Sequence, residues 1–421
     1  MSRVSSVAAS SERWLGPWVI PVVLALAASL FVVFFGFRSQ RFVSTSFDPY
    51  FFGKMGASIA HGDGFMPFGT LIQRRAPLYP LAVGGIYWVF GEQPMLVLLL
   101  QCVLHAGTCL LLFDLTRRLF GQRAGIIAGV LCAVHPVLLR YVPDLHLETL
   151  FTFLVTLTIW LTERFARLRD IRTGAMLGVA FGLATLTKSV ILLYPGLFTI
   201  ALVYSASRAS EQLPIRGLAT MFVTMALTIS PWTVRNYVAT GHFVPVSSGF
   251  SDAFLRGLIF SRTEFITLRE PPYEVAENET NAYFARLAHD AGTEWQRDDY
   301  ETEQILNREM KRRLLAEPRL NVRRFFVGLF TFWYEMTSLA TSLFAGGLAV
   351  IAWIFAGFGL RRASREKRQA WIVLLPIVYL NLLLAALLAL GRYSVPIMPC
   401  LLALAAYGLD GLLPRRGVRN V

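Results

Sequence analysis

Trp18-Val-Ile-Pro-Val-Val-Leu-Ala-Leu-Ala-Ala-Ser-Leu-Phe-Val-Val-Phe-Phe35 runs for 18 residues without a charged side chain. A stretch of that length matches the roughly 20 apolar residues that a helix needs to cross a bilayer. It is long for the apolar core of a cleaved signal peptide, and similar stretches follow it, so it reads as an uncleaved anchor. Such runs recur near 18–36, 94–114, 122–138, 148–165, 173–187, 190–206, 215–233, 339–360, 369–389 and 394–413. The expectation is an all-α integral membrane protein of about ten transmembrane helices, because backbone polar groups in lipid must find partners within the span.

Composition agrees. Of 421 residues 55% are hydrophobic and only 16% are charged, against about 25% charged in an ordinary water-soluble domain. The net charge of +13 is spread over short connections, so membrane topology accounts for it and a nucleic-acid partner is not expected. With the N-terminus inside, the short inner segments hold 19 Lys and Arg and the short outer ones only Arg140, Lys188 and Arg392. The chain then divides into a cytoplasmic tail at 1–17, a membrane module at 18–234 with an outer loop at 37–93, a large outer loop at 235–338, and a closing membrane module and tail at 339–421. This orientation places both long loops on the outer face of the plasma, or inner, membrane. Within the first, 79–93 reads as interfacial or re-entrant, since counting it as a span would send Arg117, Arg118 and Arg123 outside. Helical patterning marks Asn278–Leu287 and Tyr300–Leu315 in the second, broken at Glu270-Pro-Pro. The four cysteines sit in apolar runs, so no disulfide framework is implied.

The polar residues worth weighing collect on the outer side. Asp48, ahead of Pro49, is either a helix N-cap or a carboxylate placed to take a proton from a hydroxyl. Arg140, Asp144, His146 and Glu148 crowd one short connection, either as a capped helix end with a surface ion pair or as a hydrogen-bonding rim for a polar substrate. Lys188 and Arg392 stand at the ends of apolar runs, where cations snorkel to the headgroups or bind anions. Arg74, Arg75 and Arg235 are further anion-binding candidates, and Asn236 either orients a sugar or caps a chain reversal. No His, Cys, Asp and Glu residues have metal-ligand spacing, so neither metal nor other cofactor is expected.

Taken in order, these residues resemble a family. An Asp-bearing first loop leads to Arg74-Arg-Ala-Pro-Leu-Tyr-Pro80. Then follow Gln101, His135-Pro136, Glu148, Pro231-Trp232 with Arg235-Asn236, and Gly391-Arg392-Tyr393-Ser-Val-Pro396. The series is similar to the membrane glycosyltransferases of the C-type fold, in the branch of the protein O-mannosyltransferases and the lipid A aminoarabinose transferase. That resemblance implies transfer of a sugar from a polyprenyl-phosphate-linked donor to an acceptor on the outer face, with inversion at the sugar carbon as the usual habit of the family. It makes Asp48 the catalytic base and gives Arg392 the lipid phosphate, with Tyr393, Arg74, Arg75 and Arg235 beside it. Arg140, Asp144, His146, Glu148, Lys188 and Asn236 are left for the substrates. Here Pro49 stands where the family often has a second acid. Membrane lipids are the other expected partners, and the acceptor is open. The other class compatible with many spans and isolated charges is a transporter or flippase, but such proteins set ionisable groups near the midplane, often in a repeat. Here they gather at one face.

Overall fold

A computed structural model of the chain describes residues 16–38, 47–67, 75–261, 272–294, 300–334, 336 and 338–414. Residues 1–15 of the expected tail at 1–17, Arg74 and the Glu270-Pro271 part of the expected break lie outside the described residues. Among the described residues the secondary structure is helical throughout. In chain order the helices are α1 (Val19–Arg38), α2 (Phe47–His61), α3 (Leu78–Phe90), α4 (Pro94–Phe120), α5 (Gln122–Val134), the single turn α6 (Pro136–Leu139), α7 (Glu148–Leu168), α8 (Ile171–Thr187), α9 (Tyr194–Arg208) and α10 (Ile215–Thr240). They continue as α11 (Phe250–Phe260), α12 (Pro272–Asp290), α13 (Tyr300–Ala316), α14 (Pro318–Tyr334), α15 (Leu339–Arg365), α16 (Trp371–Ala385) and α17 (Met398–Leu412). Tight 3-10 turns at Ser189–Ile191 and Gly391–Ile397 lead into α9 and α17.

Among the described residues seven segments are long and apolar enough to cross a membrane: α1, α4, α7, the turn plus α9, α10, α15, and the second turn plus α17. The chain is a multi-pass membrane protein. The other three expected spans, 122–138, 173–187 and 369–389, fold as the shorter apolar helices α5, α8 and α16. The reason is local in α5: His135 is extended (φ −66°, ψ 116°) ahead of Pro136, and a residue before proline is driven from helical geometry. In α3 the 13 residues reach about 20 Å at 1.5 Å per residue, well short of a full crossing.

Packing follows small residues. Gly174, Gly178 and Gly182 lie four apart on α8, and a Cβ at these positions would sit 2.3 Å from Gly217 O, 2.1 Å from Met221 O and 2.5 Å from Thr228 Cβ of α10. Lipid gives apolar helices no hydrophobic reason to associate, so close backbone approach supplies the contact. Gly359 of α15 and Gly408 of α17 do the same reciprocally, meeting Leu404 O at 2.1 Å and Phe355 O at 2.0 Å. Around these seams α1 packs on α4 and α5, α7 on α4 and α8, and α17 on α5. The helices α11 to α14 pack on one another and reach the bundle through α14 against α15 and α16.

Candidate active site

The first-loop acid is placed by its own helix and by two distant arginines. Asp48 lies in the first turn of α2, where the helix N-terminus favours a negative charge. Its side chain points away from a simple capping role: Arg75 Nη2 donates to Oδ1 at 2.9 Å and Arg392 Nη1 donates to Oδ2 at 2.8 Å. Burial pushes the Asp48 carboxyl up, but Arg75, Arg392 and His146 together pull harder and hold it well below the usual carboxylate range.

Each arginine is held in turn. The Arg75 guanidinium lies over Phe51 and Phe52 of α2, 5.1 and 5.8 Å from the ring centroids. Four residues on, buried Tyr79 donates its hydroxyl to Gln101 Oε1 at 3.0 Å, and Gln101 Nε2 donates to Val142 O and Asp144 O at 2.9 and 2.8 Å. The Arg75-to-Tyr79 motif is thereby stitched through α4 to the connection that precedes α7. Arg392 sits at the start of the 3-10 turn, with Nε 3.8 Å from Glu148 Oε1. Glu148 opens α7 and is 3% exposed.

Lys188 caps the end of α8, and its Nζ lies 3.9 Å from the Tyr393 ring centroid. That distance suits a cation–π contact, which is strongest when the cation is out of water. Burial drives the Lys188 ammonium down to about 7, against the pull of Glu148.

These side chains line one cavity of about 490 Å³, inside the range for small-ligand sites. Asp48, Arg75, Glu148, Lys188, Arg392 and Tyr393 form its charged wall, and Leu192, Leu193, Leu383 and Leu388 form an apolar one. Of the residues singled out in the sequence, these six come together. Arg140, Asp144, His146, Arg235 and Asn236 are not among the lining residues, and Arg74 lies outside the described residues. Arg140 is exposed. The Asp144 carboxylate accepts from the backbone N–H of Leu145 at 3.0 Å, and burial raises its pKa. The ring of His146 lies 5.5 Å from that of Tyr141. Asn236 is buried and donates to Val244 O and Val246 O at 3.0 and 3.2 Å, which holds the chain reversal after α10. Arg235 spreads over Trp232 and Phe65, at 4.6 and 5.2 Å.

Sequence reasoning passed over several residues of the site. Asp252 and Arg256 of α11 and Glu277 of α12 also line the cavity. Their only trace in the sequence is the i,i+4 spacing of Asp252 and Arg256. Buried Arg324 of α14 was missed as well. Its Nη1 donates to Phe254 O and Leu387 O, both at 3.0 Å, and its Nη2 to Ala386 O at 2.8 Å. It ties α11 to the strand of chain that leads to Arg392. A Cβ on Gly257 would lie 1.7 Å from Leu387 O, so this junction leaves no room for a side chain there.

The all-helical architecture is similar to that of solved membrane glycosyltransferases. Residues 74–233 match the family model of the dolichyl-phosphate-mannose-protein mannosyltransferases, which is the branch that the order of motifs resembles. Among solved structures the chain is similar to the oligosaccharyltransferase of Archaeoglobus fulgidus in its apo form, with a TM-score of 0.58, 14% identity, and coverage of 96% of this chain and 51% of that one. The same archaeal enzyme, AglB, in complex with an inhibitory peptide and a dolichol-phosphate gives a TM-score of 0.54 at 15% identity, covering 94% of this chain and 50% of that one. ArnT from Cupriavidus metallidurans bound to undecaprenyl phosphate aligns at 15% identity over 94% of this chain and 77% of that one, with a TM-score of 0.43. The chain spans about half the length of the archaeal enzyme. No curated protein matches it by sequence.

Proposed function

We propose that the protein is a glycosyltransferase that moves a sugar from a polyprenyl-phosphate-linked donor to an acceptor hydroxyl or amine on the outer face of the membrane. The observation that carries this reading is the Asp48 carboxylate gripped by Arg75 and Arg392 inside a cavity whose other wall is apolar. A carboxylate, two guanidiniums and leucines in one chamber suit a base, a phosphate and a lipid tail. The mannosyltransferase match and the dolichol-phosphate held in the AglB complex support the same donor class.

In this mechanism the acceptor gives its proton to Asp48 while its heteroatom attacks the anomeric carbon. The bond from that carbon to the phosphate oxygen breaks, and the electron pair leaves with the lipid phosphate. Arginine matches the leaving phosphate because its planar fork meets two oxygens at once, and cationic donors held in place stabilise charge as it develops. The two arginines also set the timing. While both grip Asp48, its basicity is suppressed. A phosphate that shares them loosens that grip and raises the basicity of the carboxylate as the donor arrives. Arg392, Arg75 and Lys188 thus serve the phosphate, with Tyr393 beneath Lys188 and Glu148 balancing Arg392. Arg140, Asp144, His146, Arg235 and Asn236 lie off the cavity lining and Arg74 lies outside the described residues, so the transfer step is given to none of them.

The test is turnover by purified protein in lipid nanodiscs supplied with undecaprenyl-phosphate-linked hexoses and pentoses together with a panel of peptide, glycan and lipid acceptors. Release of undecaprenyl phosphate that requires the protein is the expected result, and no release with any of them sinks the reading. The outward orientation has its own check. A cysteine in place of exposed His289 on α12 reacts with an impermeant thiol reagent in whole cells, and one in place of exposed Ser364 on α15 does not. The reverse pattern puts the cavity on the inner face.

A further inference from the structure

The cavity that holds Asp48 has a second charged wall that the transfer chemistry leaves idle. Asp252 and Arg256 of α11 and Glu277 of α12 form it. Gly249, at φ 114°, turns the chain into α11 and so presents this helix to the cavity; a residue with a Cβ is strained at that angle.

Arg256 is 4% exposed. Its Nε lies 3.0 Å from both carboxylate oxygens of Asp252, one turn back on the same helix. Its Nη1 donates to Glu277, and its Nη2 lies 3.4 Å from Asn281 Oδ1 on the same helix as Glu277. The guanidinium also lies 5.4 Å from the Phe284 ring centroid. A rigid fork engaged on two helices at once fixes two carboxylates relative to each other. Arg256 is therefore a positioning residue, and Asp252 and Glu277 are the groups it positions.

The two walls differ in make-up. Among the described residues the first holds Arg75, Arg392 and Lys188 with Asp48 and Glu148, whereas the second holds two carboxylates arranged on one guanidinium. An anion is drawn to the guanidiniums and ammonium of the first and meets two carboxylates at the second. An incoming ammonium meets the Arg256 charge within the same cluster. A neutral hydroxyl suffers neither penalty, and ionised carboxylates are acceptor-only groups that make stronger hydrogen bonds than neutral acceptors.

We propose that Asp252 and Glu277, held by Arg256, form a subsite that recognises the hydroxyls of a carbohydrate. This rests on the reading of the cavity as a glycosyl-transfer site. The hydroxyls belong either to the sugar of the donor or to a glycan acceptor, and the experiment separates the two.

Binding is measured on the whole protein in lipid nanodiscs with three kinds of probe. These are bare undecaprenyl phosphate, undecaprenyl phosphate carrying mannose or one of a panel of other hexoses and pentoses, and the corresponding methyl glycosides in the presence of the bare carrier. Glu277→Gln and Asp252→Asn each lower the affinity gained from the sugar by about tenfold, the scale of a hydrogen bond to a charged group, and leave bare-carrier binding unchanged. That result assigns the subsite to the donor sugar. Loss of methyl-glycoside binding with the donor increment intact assigns it to the acceptor. If both increments survive both substitutions, or if bare-carrier binding falls in step with them, the wall is structural and the proposal is overturned. Failure of the wild-type protein to bind any undecaprenyl phosphate is a different result, and it removes the transfer reading itself.

Discussion

Asp114 and Asp48 are each held by two arginines, as Asp410 also is by Arg123 and Arg362, and the first two differ most in how the chain brings the partners together. Asp114 near the C-terminal end of α4 meets Arg117 and Arg118, three and four residues on, with Arg118 Nε at 2.6 Å. Asp48 meets Arg75 and Arg392, which are 27 and 344 residues away in the chain. The first cluster forms whenever α4 is helical, because residues three and four apart share a face. The second exists only when α2, the chain before α3 and the turn before α17 are packed together. The first lies at a helix end, the second at the wall of a cavity. An arrangement that costs that much chain ordering and burial is the one in which to look for chemistry.

Replacing the two aspartates is the sharpest way to break this comparison. Asp48→Asn keeps the size and the hydrogen-bond acceptor but cannot take up the acceptor's proton. Transfer is expected to fall roughly a hundredfold or more, the scale for removal of a general base, while undecaprenyl phosphate still binds. Near-wild-type turnover by this variant would leave Asp48 as a counter-ion for its arginines and nothing more.

Arg392 follows. Arg392→Ala removes one of the two groups that face Asp48 and is expected to cost as much as loss of the base. Arg392→Lys separates charge from shape, since lysine supplies one ammonium where arginine supplied a fork. A loss of about tenfold in transfer is expected, about 1.4 kcal/mol of transition-state stabilisation, with normal membrane insertion. Full activity of the lysine variant would mean that Arg392 acts as a point charge.

The third expected effect is in pH. With its pKa pushed down to about 7 by burial, Lys188 is half neutral at that pH before a donor binds. A bound phosphate favours the charged form, so binding takes up a proton above pH 7. Affinity for a phosphodiester-linked donor is then flat below pH 7 and falls by up to about tenfold per pH unit above it. Lys188→Arg, ionised throughout, flattens that profile. If the wild-type affinity is constant from pH 6 to 9, Lys188 does not face the phosphate. Asp48 contributes nothing to the slope in that range, because its arginines keep it ionised far below it.

The contrast also explains what was legible in the sequence. Long charge-free runs such as Trp18–Phe35 announce spans by themselves, and the membrane class was readable from them. Arg392 stood out because a charge at the end of an apolar run is rare enough to need a reason, Asp48 because a carboxylate ahead of Pro49 is an N-cap or a base, and Arg75 as a further anion-binding candidate. Their meeting was not visible, since periodicity says nothing of contacts 344 residues apart. The shortening of the span at 122–138 turned on one extended residue before Pro136. Asp252 and Arg256 failed to register for the opposite reason. In the sequence they are an i,i+4 pair like Asp114 and Arg118, and only Glu277 arriving from α12 turns that common spacing into a cavity wall. Arg324 was equally silent, because it binds backbone carbonyls, and carbonyls have no signature in a sequence.

The smallest effect belongs to Asp114, and it tests the comparison from its other side. Its side chain is 19% exposed, it pairs with arginines on its own helix, and Trp160 Nε1 of α7 donates to its Oδ2 at 2.9 Å. Ion pairs within one helix at an aqueous boundary contribute only about 0–1 kcal/mol. The indole hydrogen bond adds about 1 kcal/mol more. Asp114→Asn keeps an oxygen for Trp160 and gives up only the charge. Thermal unfolding should therefore drop by a few degrees at most, and transfer should stay within about twofold of wild type. The double variant with Asp48→Asn should be no less active than Asp48→Asn alone beyond that factor, because sites with no shared partner add independently. A loss at Asp114 comparable to that at Asp48 would show that the Asp114 cluster governs the cavity through α4 and α7. The distinction between a local ion pair and an assembled one would then not separate structure from function in this protein.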